Sequence, residues 1–84
     1  METIVVDVRE PYEYSAGHYK GAINLPPAEI MSGAKKLAKV PKDARIVLYC
    51  KSGARSNVAM VHLSRLGYTN LVNGINQDHV PRFL

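Results

Sequence analysis

Short apolar runs alternate along this chain with segments of helical spacing, and Gly and Pro punctuate them. Ile4-Val5-Val6 is β-branched, ends at Asp7, and predicts a buried strand. Glu10-Pro11 opens a turn or short helix, because Pro suits a first turn, and Gly17 closes it. Ala22-Ile23-Asn24-Leu25 predicts a second strand, stopped by Pro26-Pro27. Ile30, Ala34 and Leu37 share one helical face and predict a helix over about 28–39. Gly33 weakens that helix, and Pro41 closes the segment. Arg45 to Tyr49 holds a continuous apolar run, the pattern of a central parallel strand covered on both faces, and it leads directly into Cys50. After the small-residue loop of residues 51–56, Ala59, Leu63 and Leu66 repeat at helical spacing, with Gly67 as a left-handed cap. Leu71-Val72 predicts a last short strand, and Ile75 to Leu84 leaves room for a short helix. Strand and helix alternate throughout. That order predicts an α/β fold, with a central, mainly parallel sheet and helices on both faces.

The length of 84 residues predicts one domain over 1–84. A domain this small buries only a little over ~60% of its unfolded surface, so its stability margin is thin. No apolar run approaches the ~20 residues that cross a bilayer, so no membrane partner is expected. The N-terminus, Met1-Glu2-Thr3, has no basic stretch followed by a long apolar core and a cleavage site. A cytoplasmic location is expected from this, with the periplasm as the alternative if a leader has been removed. The net charge of +4 raises the question of nucleic acid. Its only local cluster is Lys35, Lys36, Lys39 and Lys42, with few aromatics nearby to stack on bases, so no nucleic-acid partner is expected. That cluster reads as a solvated helix face, and a small anionic substrate accounts for the charge equally well.

Cys50 is the only cysteine, which excludes an internal disulfide and a Cys-rich zinc site. Three readings remain: a buried inert thiol, a reactive thiol or an intermolecular link. Position favours the reactive thiol, because open α/β sheets bind ligands beyond the C-terminal ends of their strands. Cys50 stands there, after the most apolar strand and before a helix. The amides of residues 51–55 can converge into an anion-binding nest, and the helix N-terminus adds partial positive charge. Lys51 and Arg55 add full charges, and Gly53 and Ala54 let the backbone curl tightly. Each of these favours thiolate over thiol. Met31 and Met60 read as gap-filling core, and His18, His62 and His79 show no metal-ligand spacing.

Three stretches carry a family likeness. Cys50-Lys51-Ser52-Gly53-Ala54-Arg55-Ser56 resembles the active loop of the rhodanese family, a C-x-x-G-x-R pattern. Val6-Asp7-Val8-Arg9-Glu10-Pro11 with Glu13-Tyr14 is similar to the family's opening motif, and Gly17 to Pro26 is similar to its second. Leu66 to Leu71 also fits the segment after the active helix. The nearest subtype resembles the small bacterial single-domain sulfurtransferases, including the phage-shock type. The chain departs from the pattern at Val72 to Gln77, where many members carry Gly-Gly and then a Trp, and it has no Trp.

The resemblance implies a rhodanese-like three-layer α/β fold and a thiosulfate sulfurtransferase. Cys50 would be the catalytic nucleophile that carries sulfur as a persulfide. The substrate-binding loop would be Lys51, Ser52, Gly53, Ala54 and Arg55, with Lys51 and Arg55 facing the sulfonate. Asp7 and Arg9 would support the loop from behind, for instance through an ion pair with Arg55. His18 would bond backbone at a turn. No metal or organic cofactor is implied, and a monomer is expected, with a thiol or a protein as sulfur acceptor. Two alternatives stand beside this reading. One is a non-catalytic or regulatory rhodanese-like binding module, which an inert Cys50 would favour. The other is a cysteine-loop phosphatase or arsenate reductase. Those enzymes place five residues between Cys and Arg, whereas four intervene here, Lys51 to Ala54.

Overall fold

The computed structural model describes residues 3–84; Met1 and Glu2, which enter the reading of the N-terminus, lie outside the described residues. In chain order the elements are β1 (Thr3–Asp7), α1 (Pro11–Ala16), β2 (Ile23–Asn24), α2 (Pro27–Met31), a 3-10 turn (Lys35–Leu37), β3 (Arg45–Cys50), α3 (Ala54–Arg65), β4 (Leu71–Asn76) and a 3-10 turn (Val80–Phe83). The four strands form one parallel sheet in the order β2-β1-β3-β4. Parallel neighbours need crossover connections, which carry the helices across the sheet's faces. This is the expected α/β architecture.

β3 lies between β1 and β4 and is buried from Ile46 to Cys50. Its side chains alternate between two cores, as the period of a strand requires. Ile46, Leu48 and Cys50 join Ile30 of α2 and Ala59 and Leu63 of α3. Val47 and Tyr49 join Ala22 and Val80 on the opposite face, with Tyr14 of α1 and Phe83 packed against them. The alternation therefore turns Cys50 toward α3. Among the described residues no helix is long and apolar enough to cross a membrane.

The helix expected over 28–39 is broken in two. Gly33 has φ +113 and Ala34 φ +51, both left-handed, so the chain reverses before the 3-10 turn begins. Ile30, Ala34 and Leu37 are nevertheless all buried in one core. Their spacing reported burial correctly, because a helix, a turn and a 3-10 segment mimic one continuous helical face. Met31 is 71% exposed, not core, because the helix ends at it and turns it outward. Met60 is partly buried against the core, as expected. Leu66 is 39% exposed, since α3 stops at Arg65 and leaves it at the C-cap. Gly67 takes the left-handed conformation expected of it, with φ +102, and Tyr68 enters the core instead.

β4 continues to Asn76, well past Leu71-Val72, because a bulge interrupts its alternation. Leu48 pairs with Asn73 and Tyr49 with Ile75, leaving Gly74 as the extra residue. A Cβ at Gly74 would lie 2.8 Å from Val47 Cγ1 and 3.2 Å from the Leu48 carbonyl oxygen, so only glycine fits without displacement. Ile75 follows with φ +71, a region that a β-branched residue rarely occupies. Its N–H donates to Asn73 Oδ1 at 3.0 Å, which helps hold that conformation. The C-terminal helix expected over 75–84 is reduced to the 3-10 turn Val80–Phe83, tied down by Arg45 Nη2 donating to the Phe83 carbonyl at 2.6 Å.

Candidate active site

β3 delivers Cys50 at its C-terminal end, and after the three residues 51–53 the chain enters α3. Gly53 makes the turn at the N-cap with φ +93, left-handed, which costs glycine little. The Cys50 side chain lies under this loop and the residue is 2% exposed. Gly53 N–H donates to Sγ at 3.1 Å, and Ser56 Oγ lies 3.6 Å from Sγ. Burial pushes the thiol up. The N–H and hydroxyl of Ser56, then the N–H groups of Gly53 and Ser52, outweigh it and bring Cys50 down from 9.0 to about 7. Of the amides expected over residues 51–55, those of Ser52 and Gly53 serve the sulfur, and the N–H and hydroxyl of Ser56, beyond that range, join them. Ser52 Oγ also accepts from Ala54 N–H at 3.4 Å, which tightens the turn.

This lowering has a direct consequence. Only the thiolate alkylates, so the rate of Cys50 with iodoacetamide should climb with pH around a midpoint of about 7. A stopped-flow series from pH 5 to pH 10 checks it, and a midpoint near the ordinary 9.0 would contradict the assignment of these donors.

The charged neighbours are arranged differently from the expectation. Arg55 does not pair with Asp7. Its Nη1 and Nη2 reach Glu13 Oε1 and Oε2 at 2.7 and 3.1 Å. Glu13 Oε1 also accepts from Glu10 N–H at 3.0 Å, so the start of α1 aims this carboxylate. Arg55 first, and then the Glu10 N–H, hold Glu13 down at about 2. Lys51 is exposed on the loop, and Ala54 is exposed at the start of α3.

Asp7 is fully buried at the end of β1 and has its own partners. Arg9 Nε and Nη2 bond its two oxygens at 2.7 to 3.1 Å, and the Arg9 N–H donates to Oδ1 at 2.9 Å. Tyr49 Oη donates to Asp7 Oδ2 at 2.9 Å and accepts from Tyr19 N–H at 2.9 Å. Burial, with the bond to Asp7 acting in the same direction, pushes the Tyr49 phenol up to about 12. Asp7 and Arg9 thus reach the site through Tyr49, the residue before Cys50, and not through Arg55. His18 stacks on Tyr14 at 3.6 Å, and its Nδ1 hydrogen-bonds the Tyr14 carbonyl at 2.8 Å, so it serves a turn as expected.

Three residues at the site were not singled out from the sequence: Glu13, Ser56 and Asn73. Ser56 closes the loop stretch and could have been read as lying on the first turn of α3. Asn73 Nδ2 donates to the Gly53 carbonyl at 3.0 Å, a contact created by the bulge, for which the sequence gives no signal. Beside the loop, between α2 and α3, lies a largely apolar groove of about 260 Å³ lined by Pro27, Ile30, Met31, Ala54, Val58 and Arg55 among others. Cys50 does not line it; Ala54 and Arg55 connect it to the loop. Among the described residues no three His, Cys, Asp or Glu side chains cluster as a metal site. Chemically, the arrangement holds an ionisable sulfur among hydrogen-bond donors.

The Rhodanese-like domain family model matches residues 1–77. A "probable adenylyltransferase/sulfurtransferase MoeZ" of Mycobacterium tuberculosis is 41% identical over 69 residues, covering 82% of this chain and 17% of that protein. A "tRNA uridine(34) hydroxylase" of Pelagibacter ubique is 34% identical over 70 residues, covering 83% of this chain and 23% of that protein. The chain thus spans less than a quarter of the length of either curated relative. Among solved structures, a rhodanese with anions from E. coli superposes with a TM-score of 0.81 at 32% identity, covering 93% of this chain and 91% of its own.

Proposed function

The chain belongs to the rhodanese-like family, and from that premise we propose that it is a sulfurtransferase that moves a sulfane sulfur from thiosulfate to a thiophilic acceptor through a persulfide on Cys50. The observation that carries this reading is the Cys50 sulfur at the end of β3, held 3.1 Å from the Gly53 N–H and 3.6 Å from the Ser56 hydroxyl, donors that bring the thiol down to about 7. A nucleophile already ionised near neutral pH needs no general base. The reaction needs no metal or organic cofactor, because the sulfur's own electron pair forms the new bond.

In the first step the Cys50 thiolate attacks the outer sulfur of thiosulfate. A new S–S bond forms, the S–S bond to the sulfonate breaks, and its electron pair leaves with sulfite. The charge then rests on the outer sulfur of the persulfide. The N–H groups of Ser52, Gly53 and Ser56 suit that charge, as fixed donors that need no rearrangement. In the second step an acceptor attacks the outer sulfur and the electron pair returns to Cys50. Cyanide serves as the acceptor in an assay; a thiol or a protein thiol would serve in the cell. Lys51, exposed on the loop, meets the sulfonate by charge. Arg55 contributes the part of its guanidinium that Glu13 leaves open. Asp7 and Arg9 fix Tyr49, and through it the end of β3. The domain of residues 1–84 acts as a monomer, with a small anionic donor.

Two chemical steps joined by a covalent intermediate predict a half-reaction. Thiosulfate alone, without acceptor, should release about one sulfite per protein in a single burst, followed by none. Continuous sulfite release without acceptor would count against a persulfide that waits for one, and no release from protein whose Cys50 still alkylates would count against thiosulfate as donor. Mercaptopyruvate and protein persulfides would then be the donors to test.

A further inference from the structure

We propose that Asn73 is a positioning residue for Cys50: it holds the hydrogen of the Ser56 hydroxyl while the sulfur is a thiol and yields it to the sulfur when the thiolate forms. This role rests on Cys50 being the sulfur carrier proposed above.

Ser56 Oγ has three acceptors around it: Asn73 Oδ1 at 2.6 Å, the Gly53 carbonyl oxygen at 3.1 Å and Cys50 Sγ at 3.6 Å. A hydroxyl has one hydrogen to give. Two backbone groups fix which end of the Asn73 amide faces Ser56. Ile75 N–H donates to Oδ1 at 3.0 Å, and Nδ2 donates to the Gly53 carbonyl at 3.0 Å. A flipped amide would set donor against donor at Ile75 and oxygen against oxygen at Gly53. The atom facing Ser56 is therefore an acceptor, and the shortest contact takes the hydrogen.

In that arrangement the lone pairs of Ser56 Oγ face the sulfur and accept the thiol hydrogen. Loss of that hydrogen replaces a donor with an anion at the same place. The Ser56 hydroxyl must then turn from Asn73 to Sγ, giving up its 2.6 Å bond. Asn73 thus opposes thiolate formation while keeping Ser56 in place to serve it. When the outer sulfur is attached, the inner sulfur is neutral and the hydroxyl returns to Asn73. The charged and titratable groups around Cys50 are Lys51 on the loop, Arg55 with Glu13, and Asp7 with Arg9 behind Tyr49. His62 lies on α3, and His79 bonds Asn76, the β4 partner of Cys50. Among the described residues none of these hydrogen-bonds to Ser56 or Asn73, so a neutral change at Asn73 leaves them as they are.

A double-mutant cycle read by alkylation tests this without requiring sulfur transfer. Asn73→Leu, Ser56→Ala and the double variant are compared with the native chain by iodoacetamide rate against pH. Ser56→Ala should raise the midpoint by about one unit, a tenfold change in the thiolate-to-thiol ratio. Asn73→Leu should lower it by about half a unit, and the double variant should match Ser56→Ala alone. An unchanged or raised midpoint in Asn73→Leu, or a shift that survives in the Ser56→Ala background, overturns the proposal. If Asn73→Leu does not fold, Asn73→Asp serves, since a carboxylate holds the hydroxyl harder. Its midpoint should rise by about one unit, and by less in the Ser56→Ala background, whereas no rise, or an equal rise in both, overturns the proposal. Loss of the thiosulfate half-reaction with an intact alkylation cycle would strike the sulfurtransferase reading alone.

Discussion

Cys50→Ser should lose thiocyanate formation from thiosulfate and cyanide by on the order of a thousandfold or more, while the protein stays folded. The side chain is buried under its own loop and differs from serine by one atom, so the fold has little to lose. The chemistry has everything to lose. A serine hydroxyl is not ionised near neutral pH, and a hydroxyl cannot hold a transferable sulfane sulfur. The donors that bring Cys50 to about 7 would surround a neutral group and have no anion to stabilise. Steady-state assays of the variant, with circular dichroism to confirm folding, check this. Residual activity within tenfold of the native chain would mean that sulfur passes elsewhere.

Asp7→Ala should cost stability on a scale that rivals the whole margin of a small domain. Asp7 is fully buried, and three side-chain bonds from Arg9 and one from Tyr49 end on it. Its removal leaves the Arg9 guanidinium, whose side chain is only 12% exposed, without its counter-ion, and leaves the Tyr49 hydroxyl without its acceptor. Breaking a buried pair from one side costs about 3–5 kcal/mol. Small domains have only about 5–15 kcal/mol in total, so the urea midpoint should fall sharply. Asp7→Asn keeps an acceptor for Tyr49 and should cost less, about 1–3 kcal/mol. Because Tyr49 precedes Cys50 in β3, the surviving folded protein should also react more slowly with thiosulfate. A stability change below about 1 kcal/mol for Asp7→Ala would show that the pair is dispensable.

The features that were legible in the sequence share a physical cause. The apolar run ending at Cys50 has the pattern of a strand covered on both sides, and the strand-helix alternation implied parallel pairing. Together they placed Cys50 at a strand end before a helix. Gly67 announced a left-handed cap and Gly53 a tight curl, and the backbone makes both with positive φ. What stayed hidden depends on contacts between distant segments. Ile30, Ala34 and Leu37 are buried together whether the path is one helix or a broken one, so spacing alone does not reveal the reversal at Gly33. The bulge at Gly74 skips one residue and hides the strand beyond Val72. Without that bulge nothing in the sequence brings Asn73 to Ser56. Arg55 could have met either acidic residue, and the capping of α1 decides in favour of Glu13.

The central claim is that Cys50 takes a sulfur atom from thiosulfate, and intact-mass spectrometry of the protein incubated with thiosulfate, beside Cys50→Ser, tests it most directly. A gain of one sulfur on the native chain, absent from the variant and removed by cyanide, is the predicted result. No gain on folded protein whose Cys50 alkylates, or an equal gain on the variant, would contradict it.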